Sequence, residues 1–159
     1  MNSGDHNSFV MRHYRHDDLE SVVNLFYDTV HSVNSQDYSQ KQCDVWADGN
    51  PNLDVWHRSL SQNCTLVVYD GMTLVGFGNC DDTGYLDRLF VHKNYQGHKI
   101  ASRICDELES NCQYIITTHA SITAQPFFEK RGYQVVSKNL VERNGIKLRN
   151  TFMKKTKET

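Results

Sequence analysis

Residues 64–91 place the tightest constraint on the fold: runs rich in β-branched and aromatic side chains, 64–69, 72–80 and 84–91, are separated by short polar turns. The turn Asp70-Gly71 between the first two runs is too short for a crossover helix, so these neighbours must run antiparallel. The last run gives way to a short glycine-bearing loop that opens an amphipathic helix, Tyr95-Gln-Gly-His-Lys-Ile-Ala-Ser-Arg-Ile104. A helix N-terminus at the end of a strand gathers unpaired N–H groups and the positive end of the helix dipole at one spot. The sequence therefore predicts a phosphate-type anion site at residues 96–101.

The flanking segments extend the pattern. Residues 9–14 read as a first short strand, after which Asp17 or Asp18 is placed to cap a helix whose apolar residues Leu19, Val22, Val23, Phe26 and Val30 recur at helical spacing. A serine-capped helix is expected over 39–47, and a further one, containing Leu53, Trp56 and Leu60, begins at Pro51 or Asn52. After the meander come a helix over 97–110, a strand over 114–118, a helix over 121–131 ended by Gly132, and a hairpin turned at Arg143-Asn144-Gly145. The expectation is one α/β domain over residues 1–159, a mixed sheet with an antiparallel meander flanked by helices, with residues 1–8 as a flexible terminus.

Composition removes several function classes. A formal charge of -2 gives no broad basic surface for nucleic acid or anionic membrane, so an anion must be bound locally. The five cysteines lack Cys-x-x-Cys spacing and the eight histidines lack ligand spacing, which points to reduced thiols and no metal. Cys105 sits among Ile104 and Leu108, where a thiol packs rather than reacts. With no apolar run long enough to span a bilayer and no signal-peptide core, a cytoplasmic location is expected.

The anion loop matches neither Gly-x-x-x-x-Gly-Lys-Ser/Thr nor Gly-x-Gly-x-x-Gly. It resembles instead the Gln/Arg-x-x-Gly-x-Gly/Ala signature of the GNAT superfamily of N-acetyltransferases, with Gln96 and Ala101 in register and Lys99 where the first small residue is usual. The approach Leu89-Phe-Val-His-Lys-Asn-Tyr-Gln-Gly97 and the later Ala124-Gln-Pro-Phe-Phe-Glu-Lys-Arg-Gly-Tyr133 are similar to the same family, and the ending Asn144-Gly-Ile-Lys-Leu-Arg-Asn-Thr-Phe-Met153 to its bacterial YafP-like branch. The resemblance covers nearly the whole chain. It implies the GNAT fold, acetyl-CoA as co-substrate and an amine acceptor, small molecule or peptide; a homodimer remains open.

The resemblance also implies roles. Backbone groups of Leu89, Phe90 and Val91 would meet the acetyl carbonyl and pantetheine; the N–H groups of residues 96–101, with His98 and Lys99 adding charge and Ser102 a further donor, would hold the pyrophosphate. Gln96, Gly97, His98, Lys99, Ile100 and Ala101 thus form the expected cofactor loop. Ser121 stands where the family carries a pantetheine-binding asparagine, and Phe128, beside Phe127, where it often carries a tyrosine that protonates the thiolate; phenylalanine has no proton to give. Strand alternation places Asp87 on one face with Tyr85 and Leu89, making it a candidate base. Tyr85 lies nearer the family's usual base position, though a neutral phenol is a poor base, and His31 is an outlying candidate. Acceptor recognition is expected from residues 31–38, with Trp46 and Trp56 as walls. The lost tyrosine keeps a second reading open, an acetyl-CoA sensing module without turnover.

Overall fold

The computed structural model describes residues 8–112 and 114–157. In chain order these form strand β1 (Phe9–His13), helices α1 (Leu19–Ser32), α2 (Gln40–Trp46) and α3 (Leu53–Gln62), the meander β2 (Cys64–Asp70), β3 (Thr73–Cys80) and β4 (Tyr85–Val91), helix α4 (Ile100–Ser110), strand β5 (Ile115–Ser121), helix α5 (Gln125–Lys130), and the hairpin β6 (Gln134–Arg143) and β7 (Ile146–Thr156). The strands make a seven-stranded sheet in the order β1-β2-β3-β4-β5-β7-β6, antiparallel throughout except where β4 meets β5. This is the expected mixed α/β architecture. The terminus expected to be flexible lies, apart from Ser8, outside the described residues.

Helices cover both faces. On one, Ile100, Ile104, Cys105 and Leu108 of α4 and Phe128 of α5 pack against Leu66, Val68, Val75, Leu86, Ile116 and Met153 of the sheet. On the other, Leu19, Val22 and Val23 of α1 and Leu60 of α3 meet Val67 and Phe77, while Val30, Cys43 and Leu148 join α1, α2 and β7. The apolar spacing that predicted α1 is the spacing of its buried stripe. Gly76 and Gly78 let α4 lie close on β3: an added Cβ would stand 2.9 Å from Ile100 Cγ2 at the first and 2.8 Å from Ile104 Cγ2 at the second. That approach fixes where the N-terminus of α4 sits beside β4.

Capping follows the sequence at α2, where Ser39 Oγ accepts from Gln42 N–H at 3.1 Å, and at α3, where Asn52 Oδ1 accepts from Val55 N–H at 3.1 Å. It departs from it at α1. Asp18 makes no side-chain cap for that helix; its carboxylate turns back to accept from Arg15 N–H, from the Arg12 guanidinium in bidentate fashion and from Tyr69 Oη. Burial pushes this carboxyl up, but those donors outweigh it and hold it at about 2. Other limits also shift. Gly97 and Lys99 both have positive φ, which excludes them from α4 and moves its start from 97 to Ile100. The strand expected to end at 118 continues through Ser121, because β7 supplies ladder partners as far as Asn150, and α5 shortens to begin at Gln125 next to Pro126.

Candidate active site

The site is built where β4 and β5 separate. These strands pair only at Tyr85↔Thr117 and Leu86↔Thr118, with Thr118 Oγ1 donating to Leu86 O at 2.8 Å as the last tie. Beyond it the facing edges of β4 and β5 share no ladder, while β5 stays paired with β7 on its far side and β4 with β3 on its own. His92 N–H donates to Val75 O at 2.8 Å, which sets the phase of the ladder: Arg88 and Phe90 exchange bonds with β3, and the N–H groups of Leu89 and Val91 aim at the opening. Gln96 Nε2 donates to Val91 O at 2.7 Å and so anchors the following loop to the same open edge.

A cleft of about 790 Å³ occupies the opening. At one end it is lined by Leu89, Val91, Gln96, Ala101, Ser121, Ala124, Phe127 and Phe128, between β4, α4 and α5. The loop beyond Gln96 bends through Gly97, φ 83°, and Lys99, φ 63°, and α4 then opens at Ile100, its first-turn N–H groups lacking partners within the helix and its second residue, Ala101, lining the cleft. The family's small residue at position 99 now has a cause: the backbone there is left-handed, which a side chain tolerates at a cost of roughly 1–2 kcal/mol.

The other end of the cleft has a different chemistry. Phe26, Trp46, Trp56 and Phe90 wall it, with ring centroids 5.1 Å apart for Phe26–Trp56 and 5.2 Å for Phe26–Phe90. Arg88 lies over Trp56 at 4.3 Å and donates to Ser59 Oγ, and Asp48, Asp87 and Tyr85 also line this end. Tyr85 Oη is 2.8 Å from His119 Nδ1, a histidine on β5 whose alternate neighbours Thr118 and Ala120 are buried. Burial, with the Asp87 carboxylate nearby, pushes the Tyr85 phenol up from its ordinary value, so it stays protonated.

The expected arrangement of β4 is corrected here. Asn79 faces Arg88 while Cys80 faces Leu86, leaving Asp87 as an extra, bulged residue. The bulge reverses the alternation: Leu86, Leu89 and Val91 pack on the α4 face, whereas Arg88 and Phe90 face α1 and α3. Asp87 and Tyr85 therefore do not share a face with Leu89. Asp87 is exposed, lines the cleft and pairs with Arg88 at 3.3 Å. His31 lies outside the cleft lining; its Nε2 meets Ala47 O at 2.8 Å and its ring stacks on Tyr27. Ser121 ends β5 rather than opening α5, and its Oγ accepts from Ala124 N–H at 3.0 Å and lies 3.4 Å from Asn34 Nδ2, a donor in the expected acceptor segment. The Phe128 ring is 2% exposed against Phe127 and Tyr133. Of the expected cofactor loop, Gln96 and Ala101 line the cleft, and Gly97, His98, Lys99, Ile100 and Ser102 do not. His119 is the residue sequence reasoning missed.

Nucleophilic catalysis by Cys105 has no support, since burial pushes its thiol up to about 12 and leaves no thiolate. Among the described residues no group of histidines, cysteines and carboxylates is arranged to hold a metal, and no helix is long and apolar enough to cross a membrane.

Known proteins match this construction. A family model described as an acetyltransferase (GNAT) domain matches residues 34–157. The "Uncharacterized N-acetyltransferase YafP" of Escherichia coli (strain K12) is 31% identical over 148 residues, spanning 93% of this chain and 96% of the relative. A GCN5-related N-acetyltransferase, "Aminotransferase, Class-II", from Rhodopseudomonas palustris superposes with a TM-score of 0.88 at 30% identity, covering 92% of this chain and 94% of that one. The PaiA N-acetyltransferase of Thermoplasma acidophilum, solved in complex with coenzyme A, superposes at 0.73 with 18% identity over 94% and 99% of the two chains. The chain belongs to the GNAT acetyltransferase family and is an acyltransferase of that type.

Proposed function

We propose that this enzyme moves the acetyl group of acetyl-CoA directly to a primary amine in a ternary complex, in the cytoplasm. The observation that carries this reading is the divergence of β4 from β5, which aims the Leu89 and Val91 N–H groups into the cleft between them. Those donors suit the thioester carbonyl, where negative charge develops as the amine attacks. Gln96, Gly97, His98, Lys99, Ile100, Ala101 and Ser102 receive the pyrophosphate, and Ser121, Phe127 and Phe128 border the pantetheine arm, consistent with coenzyme A held by the Thermoplasma structure.

The acceptor enters from the aromatic end, drawn as an ammonium by Asp87 and Asp48. Tyr85 and His119 act as a relay: the phenol oxygen takes the ammonium proton as its own passes to His119 Nδ1. This removes the objection that a phenol alone is a poor base, because the proton ends on an imidazole. The free amine then forms the C–N bond, the C–S bond breaks toward sulfur, and one of the two protons left on nitrogen neutralises the thiolate while the amide keeps the other. Phe128 takes no part in proton transfer.

The loop assignment is tested by calorimetry. Gly97→Pro removes a donor and cannot adopt φ 83°, so it should weaken acetyl-CoA binding more than Lys99→Ala, which deletes a solvent-screened charge. Lys99→Gly deletes the same charge and should match Lys99→Ala in affinity, while raising stability by about 1 kcal/mol, since glycine accepts the left-handed backbone. Equal affinities for Gly97→Pro and the wild type would place the pyrophosphate elsewhere.

A further inference from the structure

Strand β6 closes one end of the sheet, and every residue of its ten except Asn139 is exposed. Val135, Val136, Leu140 and Val141 stand 43%, 56%, 61% and 36% exposed along it. A long edge of this kind, with apolar side chains and no proline, is a template for another strand. The bulge near Val136 interrupts only its first part; from Ser137 to Arg143 the pairing with β7 is regular. The opposite edge, β1, is five residues long and offers much less.

The hairpin fixes which groups face outward. Arg143↔Ile146 closes the two-residue turn Asn144-Gly145, so residues 139, 141 and 143 exchange bonds with β7, and Lys138, Leu140 and Glu142 direct their N–H and C=O groups away from the sheet. Two antiparallel copies can pair only in registers that set these outward residues against one another. The register centred on Leu140 sets Leu140 against its own copy and Lys138 against Glu142, twice by symmetry. Shifting the centre by one residue either way loses both charge pairs.

We propose that β6 is the dimerisation strand, pairing antiparallel with β6 of a second copy about a two-fold axis at Leu140 and joining the two sheets into one. The occupant is another copy because the strand is complementary to itself: Lys138 and Glu142, two residues either side of the apolar centre, neutralise each other only when the same strand is inverted. Each facing pair exchanges two backbone bonds, and the Leu140 side chains shield one another from water. Val141 and Arg143, which line the acceptor end of the cleft, lie in the same paired segment, so the second copy would stand beside the acceptor mouth.

Sedimentation equilibrium tests this on the full chain. The wild type should dimerise, and Lys138→Glu and Glu142→Lys, each placing like charges opposite one another at both symmetric positions, should weaken dimerisation by roughly tenfold or more. The double variant Lys138→Glu/Glu142→Lys exchanges the charges and should restore wild-type dimerisation. Acetyl-CoA affinity, and melting temperature read at a dilution where every protein is monomeric, should stay unchanged in all of them, which separates an interface effect from misfolding or from a fault in the cofactor assignment. A monomeric wild type, or a dimer that either single variant leaves intact, would overturn the proposal. So would a double variant no better than the single ones.

Discussion

Tyr85→Phe should lower kcat/KM by roughly a hundredfold or more near neutral pH, the range credited to a positioned proton-transfer group, while acetyl-CoA affinity stays at the wild-type value. The change deletes one hydroxyl and with it the 2.8 Å contact to His119 Nδ1, and leaves the ring in place beside β5. The deficit should shrink as pH rises toward the pKa of the amine, because a free amine needs no proton acceptor. Asp87→Asn should behave differently: the carboxylate attracts the ammonium but does not take its proton, so KM rises with little change in kcat. Steady-state profiles of both variants from pH 6 to 10 make the distinction. A large kcat loss in Asp87→Asn beside an ordinary Tyr85→Phe would exchange the two roles.

The second large effect concerns stability. Glu109, 8% exposed near the end of α4, accepts from Arg131 Nε at 3.1 Å, Tyr133 Oη at 2.8 Å and Lys155 Nζ at 2.9 Å, tying α4 to the turn after α5 and to β7. Burial pushes its carboxyl up, but the bonds from Arg131, Lys155 and Tyr133 prevail and hold it below its ordinary value. Glu109→Gln keeps the shape but takes the counter-charge from Lys155 and leaves Arg131 with the exposed Asp106 alone. Removing one partner of a buried pair costs about 3–5 kcal/mol; with part of this cluster open to solvent, about 2–3 kcal/mol is expected, a fall of roughly 5–10 °C in melting temperature. The depressed pKa also gives a sign: Glu109 contributes stability above the unfolded-carboxylate range near pH 4, and that contribution is lost as pH falls through the folded value. The variant should show less of this acid-side loss. Thermal melts at pH 3 and 7 measure both, and an unchanged melting temperature at pH 7 would show that the cluster contributes nothing net.

The elements were legible in the sequence because their periodicities differ and their caps are local. The meander, the Ser39 and Asn52 caps and the Asn144-Gly145 hairpin all depend on neighbours within a few residues. What the sequence hid were consequences of register. A single bulged residue, Asp87, changes the phase of β4 and sends the side chains before it to the opposite face from the one simple alternation assigns, which no local pattern announces. Strand β5 extends past Thr118 only because distant β7 supplies partners, so the local pattern leaves His119 and Ser121 outside a strand. Extending the alternation of Ile116 and Thr118 by one step would have placed His119 on the cleft side. The start of α4 differs from the expected one for a backbone reason, since the positive φ of Lys99 is unusual for a lysine and only the family pattern, with its small residue there, points to it.

The central claim is acetyl transfer to an amine in this cleft, and its most direct test is the release of free coenzyme A from acetyl-CoA by the wild-type enzyme against a panel of primary amines: polyamines, aminoglycosides, amino acids and peptides. The account predicts that at least one class raises thiol release well above the rate without amine, with a stoichiometric N-acetylated product by mass spectrometry and with the rate lost in Tyr85→Phe. Tight acetyl-CoA binding with no amine-dependent release across the panel would contradict it and assign the fold to sensing rather than catalysis.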